Sequence, residues 1–277
     1  GGFIARQSLR KKLYKNHIYG RVATINSFNE LSNDDVKSFA KKHYISKKCT
    51  LFLSGKVTDT EILILSKHLT KTENIEYAEP NELDLKLDCN PEIGLHREYH
   101  KTAKQDSVRI GFNTVSQDSD EFLKVNVINT ILGGYFGSRL MQNIREEKGW
   151  TYGINSSILP GKLMCSAFIS ADVLESKGQD CILEITKEIE KLRNTAITKE
   201  EFNRVSAYLN GSVLRSFDGV FEQMDRFQST FLNELPTEHY LEYLDLLNTV
   251  SMEELQHTAQ QYFDAANHVQ VIASSKK

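Results

Sequence analysis

Arg145 and Tyr152 stand seven positions apart, one near the end of an expected helix and the other at the start of an expected strand. A guanidinium is a permanent donor and a phenol a neutral one, so a corner fixing both could hydrogen-bond a carbonyl or stabilise a developing oxyanion. The same residue types also serve as a helix-dipole arginine and a packed tyrosine, and type alone leaves both roles open. Gly133, Gly134 and Gly137 lie just upstream, where they break one helix and open the next. The other candidate pair is His96 and His100. In an extended chain the two are about 13 Å apart at about 3.3 Å per residue, too far for both to reach one zinc at about 2.0–2.1 Å. In a helix, Glu98 between them would point away from the histidine face. No metal site is expected there. His17, His43, His68, His239, His257 and His268 are scattered over separate elements. No nucleophile elbow, P-loop or dinucleotide fingerprint is present. Cys49, Cys89, Cys165 and Cys181 lack Cys-x-x-Cys spacing and read as buried free thiols, which favours a reducing, cytoplasmic compartment.

These residues need elements to hold them. With 277 residues, 40% hydrophobic and 26% charged, the chain can bury a sizeable core, and 15 Gly with 4 Pro exclude collagen-like and disordered classes. A formal charge of −3 without basic tracts gives no footprint for nucleic acid. No apolar run reaches the roughly 18 residues of a membrane span, so a soluble protein is expected. Residues 3–15 read as a helix with Leu9 and Leu13 on one face. Ser32-Asn-Asp-Asp35 opens a helix carrying Val36, Phe39, Ala40 and Tyr44, Lys48–Gly55 reads as a short strand, and Thr58–Glu61 caps a further helix. Residues 71–95 are acidic and contain Asn74, Pro80, Asn81, Asn90, Pro91 and Gly94, as a linker would. Beyond them come a strand at Ser107–Phe112 and helices over Asp120–Leu132 and Ser138–Lys148, the second closed by Gly149. A hairpin of Thr151–Leu159 with Leu163–Val173 turns at Pro160-Gly161. Helical periodicity fills Leu174–Arg193, Thr198–Phe217, Phe221–Asn233 and Thr237–Leu247.

The C-terminal forty residues repeat an earlier pattern. Ser251–Phe263 matches Ser32–Tyr44 at a constant offset of 219, with cap, acid and apolar positions in register, and Val269–Ala273 falls on Thr50–Ser54 without insertion. A shared helical period alone could produce part of this; helix, loop length and strand agreeing together favour duplication. On that arithmetic residues 1–70 are the end of a first repeat, 71–95 a linker and 96–277 a complete second repeat, with about 160 residues of the first copy upstream.

Residues 131–153 resemble the signature of the C-terminal half of the pitrilysin/insulinase metallopeptidases, the inverzincins: a glycine-rich turn (Gly133, Gly134, Gly137), Ser138-Arg139-Leu140, then Arg145 seven residues before Tyr152. Residues 17–55 are similar to the end of that family's first domain, through His17-Ile-Tyr-Gly-Arg21, Leu31–Val36, Tyr44 and Leu53-Ser-Gly55. The resemblance implies an α+β fold in which helices pack on one face of an antiparallel sheet, with one complete copy of a duplicated domain and the tail of the preceding one. It implies zinc in the upstream half or a partner, held by a His-x-x-Glu-His that this chain lacks, so the chain alone is expected to be inactive. Arg145 and Tyr152 match the pair that reaches the substrate, and the glycines match the loop prominent in the noncatalytic subunit of the mitochondrial processing peptidase. Trp150 stands where the pattern is more often aliphatic. The implied role is to clamp an extended peptide for hydrolysis at a zinc held elsewhere. The alternative is a noncatalytic partner or scaffold subunit of a peptidase or other complex.

Overall fold

The computed structural model describes residues 1–45, 50–69, 90–161 and 164–275. In chain order the elements are α1 (Gly2–Tyr14), α2 (Ile25–Asn29), α3 (Asn33–Ala40), α4 (Asp59–Leu69), β1 (Gly94–Tyr99), β2 (Gln105–Asn113), α5 (Phe122–Asn129), β3 (Thr151–Leu159), β4 (Ser166–Leu174), α6 (Gly178–Asn194), α7 (Lys199–Arg215), α8 (Val220–Leu232), α9 (His239–Thr249), α10 (Met252–Tyr262) and β5 (Val269–Ser274). They divide into two compact units. The first comprises Gly1–Val22, Leu87–Gly211 and Glu238–Lys277; the second comprises Ala23–Lys86 and Ser212–Thr237.

The first unit is built on one open five-stranded sheet in the order β1-β5-β2-β4-β3. Strand alternation gives it two apolar faces. Val108, Ile110 and Phe112 of β2, Ala167, Ile169, Ala171 and Val173 of β4, and Ile272 of β5 face a large core. That core is completed by Val125 and Ile128 of α5, Ile182, Ile185 and Ile189 of α6, and Leu255 and Ala259 of α10, each set spaced three or four residues apart on one helical face. The alternate positions Val269, Val271 and Ala273 of β5 face a smaller core with Ala5, Leu9 and Leu13 of α1. Gly111 of β2 makes that second layer possible, because a Cβ there would stand 3.2 Å from methyl carbons of both Leu9 and Leu13. Tyr14 anchors the helix end by donating to Ser166 Oγ at 2.7 Å.

The expected α+β class is what the structure shows, with two departures in detail. β1 runs parallel to β5, pairing Gly94 with Val269 through Tyr99 with Ser274, while the other pairings are antiparallel. Helices also cover both faces rather than one, since α1 takes the second. Residues 71–89, the larger part of the expected linker, lie outside the described residues, and β1 begins at Gly94.

In the second unit, Ser32 and Asp35 form the expected reciprocal cap of α3, and Thr58 N–H donates to Glu61 at 2.9 Å ahead of α4. The strand expected over Lys48–Gly55 is absent from its described part: Thr50–Ser54 forms no ladder. A lone apolar segment needs a partner strand to satisfy its backbone, and here Phe52 instead sets its ring edge-on to Phe227 and Phe231 of α8 at 6.1 and 5.5 Å. Ser54 Oγ donates to Val220 O at 2.7 Å. The duplicated pattern therefore holds at the caps, since Ser251 and Glu254 repeat the reciprocal bond, and not in burial. α10 buries Leu255, Thr258 and Ala259, whereas Val36, Phe39 and Tyr44 of the matching stretch are exposed.

Candidate functional site

The sequence-expected residues lie along one end of the first unit, where α5 runs out into a glycine turn and a short helix leads into β3. Beyond Asn129 the helix widens into a π-helical turn, Thr130–Gly134. Its last residues press on β3: a Cβ on Gly133 would lie 2.7 Å from the Ser156 Cβ and 2.8 Å from its backbone nitrogen. Asn129 and Ser156 lock this approach, Asn129 Nδ2 donating to Ser156 O at 3.2 Å and Ser156 Oγ donating to Asn129 Oδ1. Glycine at 133 is thus a packing requirement.

Two side chains fasten the turn to α7, whose first turn is capped by Thr198 accepting from Glu201 N–H at 3.1 Å. Tyr135 packs on Tyr208 with ring centroids 5.1 Å apart. Arg139 forms a fork with Glu201, Nε to Oε1 at 2.8 Å and Nη2 to Oε2 at 2.9 Å. Two parallel charge-assisted bonds fix orientation as well as distance. Sequence reasoning carries Arg139 only as part of a motif; its acceptor lies 62 positions away, and no local spacing signals it.

The helix that follows, Met141–Glu147, is also π-helical. It ends as expected at Gly149, which has φ 63° and lets Trp150 N–H reach back to Ile144 O at 3.1 Å. Positive φ of this kind carries little strain only for glycine. Trp150 is half-buried beneath two cations, Lys148 Nζ and Lys177 Nζ at 5.3 and 5.1 Å from the ring.

Arg145 lies near the end of this helix and Tyr152 at the start of β3, and among the described residues no hydrogen bond or ring contact joins them. The Arg145 guanidinium lies over Phe136 of the glycine turn, 4.5 Å from the ring centroid, with its neighbour Glu146 at 3.4 Å. Tyr152 is 95% exposed, and among the described residues nothing hydrogen-bonds its hydroxyl. Between turn and strand lies an open cleft of ≈ 450 Å³, lined by Gly133, Gly134, Tyr135, Phe136, Met141, Gly153, Ile154 and Asn155.

Beside the cleft runs β3, the outermost strand of the sheet. The two edges differ in chemistry. β1 carries His96, Arg97 and Glu98 at its centre, charges of the kind that blunt an edge against added strands. The nine residues of β3, Thr151–Leu159, include no charged side chain.

His96 sits in extended β1 with its Nε2 2.7 Å from Glu92 O. Among the described residues no three His, Cys, Asp or Glu side chains gather to hold a metal ion, so these residues do not fit a zinc site. Cys165 and Cys181 are buried and free; Cys49 and Cys89 lie outside the described residues. No described helix is long and apolar enough to cross a membrane. One residue that sequence reasoning passes over is His268, buried with both ring nitrogens unpartnered among the described residues and stacked on Phe112 at 4.2 Å.

The family model for the peptidase M16 inactive domain matches residues 30–209. The chain belongs to that family. The match takes in the glycine turn, Arg145, Tyr152 and the whole of β3. The M16 chain is 24% identical over 270 residues to the uncharacterized zinc protease YmxG of Bacillus subtilis, covering 94% of this chain and 63% of that protein. It is 24% identical over 289 residues to the non-peptidase homolog YmxG of Helicobacter pylori, covering 99% of this chain and 63% of that one. A crystal structure of a peptidase M16 inactive domain from Pseudomonas fluorescens shares the fold with a TM-score of 0.85 at 20% identity, over 100% of this chain and 66% of that one. The M16 chain thus spans under two thirds of the length of these relatives.

Proposed function

We propose that this M16 chain is the non-zinc-binding half of a zinc-dependent peptidase and that it holds an extended peptide against β3. The observation that carries this reading is the pairing of an uncharged open edge with an adjoining cleft. A peptide added to β3 would satisfy the edge's backbone groups, and alternate side chains would turn toward the sheet faces. Asn155 and Ile154 put the cleft beside that strand. Arg145 would offer N–H donors and Tyr152 a free hydroxyl to a peptide carbonyl, the charge-stabilising role that permanent and neutral donors fill. Zinc, held in the upstream half or a partner, would supply the activated water. The exposed apolar residues of the second unit, Val36, Phe39 and Tyr44 among them, support a chain that normally carries further protein against it.

The test is a peptidase assay with zinc quantification on the full-length product beside these 277 residues. Zinc and chelator-sensitive cleavage in the full product alone is expected. In that product Tyr152→Phe should lower turnover while leaving stability unchanged, because the side chain is exposed; an unchanged rate removes Tyr152 from the chemistry.

A second reading is favoured by one specific observation, the naming of the Helicobacter pylori relative as a non-peptidase homolog. On that reading the chain is a noncatalytic partner or scaffold subunit. A metal-free, inactive full-length product establishes it and displaces the first.

A further inference from the structure

We infer that Phe136 is the positioning residue for the Arg145 guanidinium, so that the glycine turn sets where this donor meets a peptide. The inference rests on the reading above, in which Arg145 contacts peptide. Phe136 is 66% exposed, a large apolar ring held in solvent at the tip of the turn. Its backbone is fixed on both sides. Before it, Tyr135 is packed on Tyr208 and Gly133 on Ser156. After it, a Cβ on Gly137 would stand 2.8 Å from the Tyr135 ring, and Arg139 is forked onto Glu201. The ring is therefore a fixed platform on a braced turn.

Arg145 depends on that platform for its direction. Its charged neighbour Glu146 is adjacent in sequence and half-exposed, with the ion pair at 3.4 Å, and a solvated pair of this kind holds a long side chain loosely. The Phe136 ring lies 4.5 Å from the guanidinium carbon, well inside the about 6 Å reach of a cation–π contact. Such a contact is an attraction between the charge and the ring face and requires no N–H···acceptor bond, so it competes little with donation to a carbonyl. Phe136 thus limits the rotamers of Arg145 without consuming the donors a peptide carbonyl would need. A leucine would offer similar apolar area and no ring quadrupole.

The experiment has two readouts. By NMR, the Arg145 side-chain protons should be shifted upfield by the ring current; Phe136→Leu should abolish the shift and Phe136→Tyr should keep it. In the full-length protein, with an internally quenched extended peptide, Phe136→Leu should lower kcat/KM about threefold, Phe136→Tyr should restore it, and Phe136→Leu should add nothing in an Arg145→Gln background. Because the ring is exposed, these substitutions should leave the fold intact, and the unfolding midpoint of each variant verifies this. A missing ring-current shift, an unchanged rate in Phe136→Leu, or full additivity with Arg145→Gln overturns the inference. If Arg145→Gln itself leaves the rate unchanged while the ring-current shift is present, the peptide role of Arg145 fails and the positioning role falls with it, though the contact stands.

Discussion

Arg139 and Glu201 meet in a double hydrogen bond that ties the turn before one helix to the first turn of another, 62 residues on. Both side chains are largely withdrawn from solvent, so removing one leaves the other charged and poorly hydrated. Arg139→Met should cost about 2–4 kcal/mol in urea unfolding, and Arg139→Lys should recover only part of that because an ammonium cannot form the fork. A double-mutant cycle with Glu201→Gln should return a coupling of about 1–3 kcal/mol; additive losses would show that the pair is not coupled.

Gly133 should tolerate no side chain. The 2.7 and 2.8 Å approaches to Ser156 mean that Gly133→Ala must push the turn off β3. Overpacking of this kind costs about 1–3 kcal/mol. The expected outcome is a lowered unfolding midpoint with faster exchange of the Ser156 amide, read by hydrogen–deuterium exchange.

Gly111→Val should detach α1 from the sheet. A single carbon added at this position would already stand 3.2 Å from methyl carbons of Leu9 and Leu13, and a branched side chain adds two more. Proteolysis within residues 1–22 should then accelerate while the core on the opposite face keeps its protection.

Stability should fall in mild acid through His268. Burial lowers its pKa from 6.5 to about 4, with Asp264 opposing the shift and Arg193 adding to it. The unfolded chain therefore binds the proton first as pH falls, and the stabilisation present at neutral pH is lost between about 6.5 and 4, amounting to about 3 kcal/mol. His268→Leu should flatten the stability profile across that window. A profile equally steep in the variant would place the acid sensitivity elsewhere.

Cys181 should resist thiol reagents in the native state. Burial, with Glu184 adding to it, pushes its thiol up to about 12, and Cys165 is shifted the same way. Only the thiolate attacks. Peptide mapping after brief native labelling should find both unmodified, and both labelled in urea.

Much of this architecture is legible locally. Ser32 and Ser251 announce their helices because a capping box is written within four residues. The β3–β4 hairpin follows from alternation around Pro160-Gly161, and Gly149 from the left-handed residue needed to end a helix. The same rules err at Thr50–Ser54, whose composition suits a strand but which has no ladder partner among the described residues. They also set the start of α6 too early: β4 continues to Leu174 and the helix begins only at Gly178. Arg145 and Tyr152 are legible through their motif, yet nothing local says that Phe136 lies under the guanidinium.

By itself, then, the sequence determined most of the element types, the caps, the turn glycines and the family signature, because each depends on backbone preferences and spacing within a few residues. Only the tertiary structure decided that α1 covers the second face of the sheet, that β1 pairs parallel to β5, that Glu201 receives Arg139 and that His268 is sealed against Phe112. Those outcomes depend on which apolar faces meet across many tens of residues, and local periodicity marks a face as apolar without naming what will bury it.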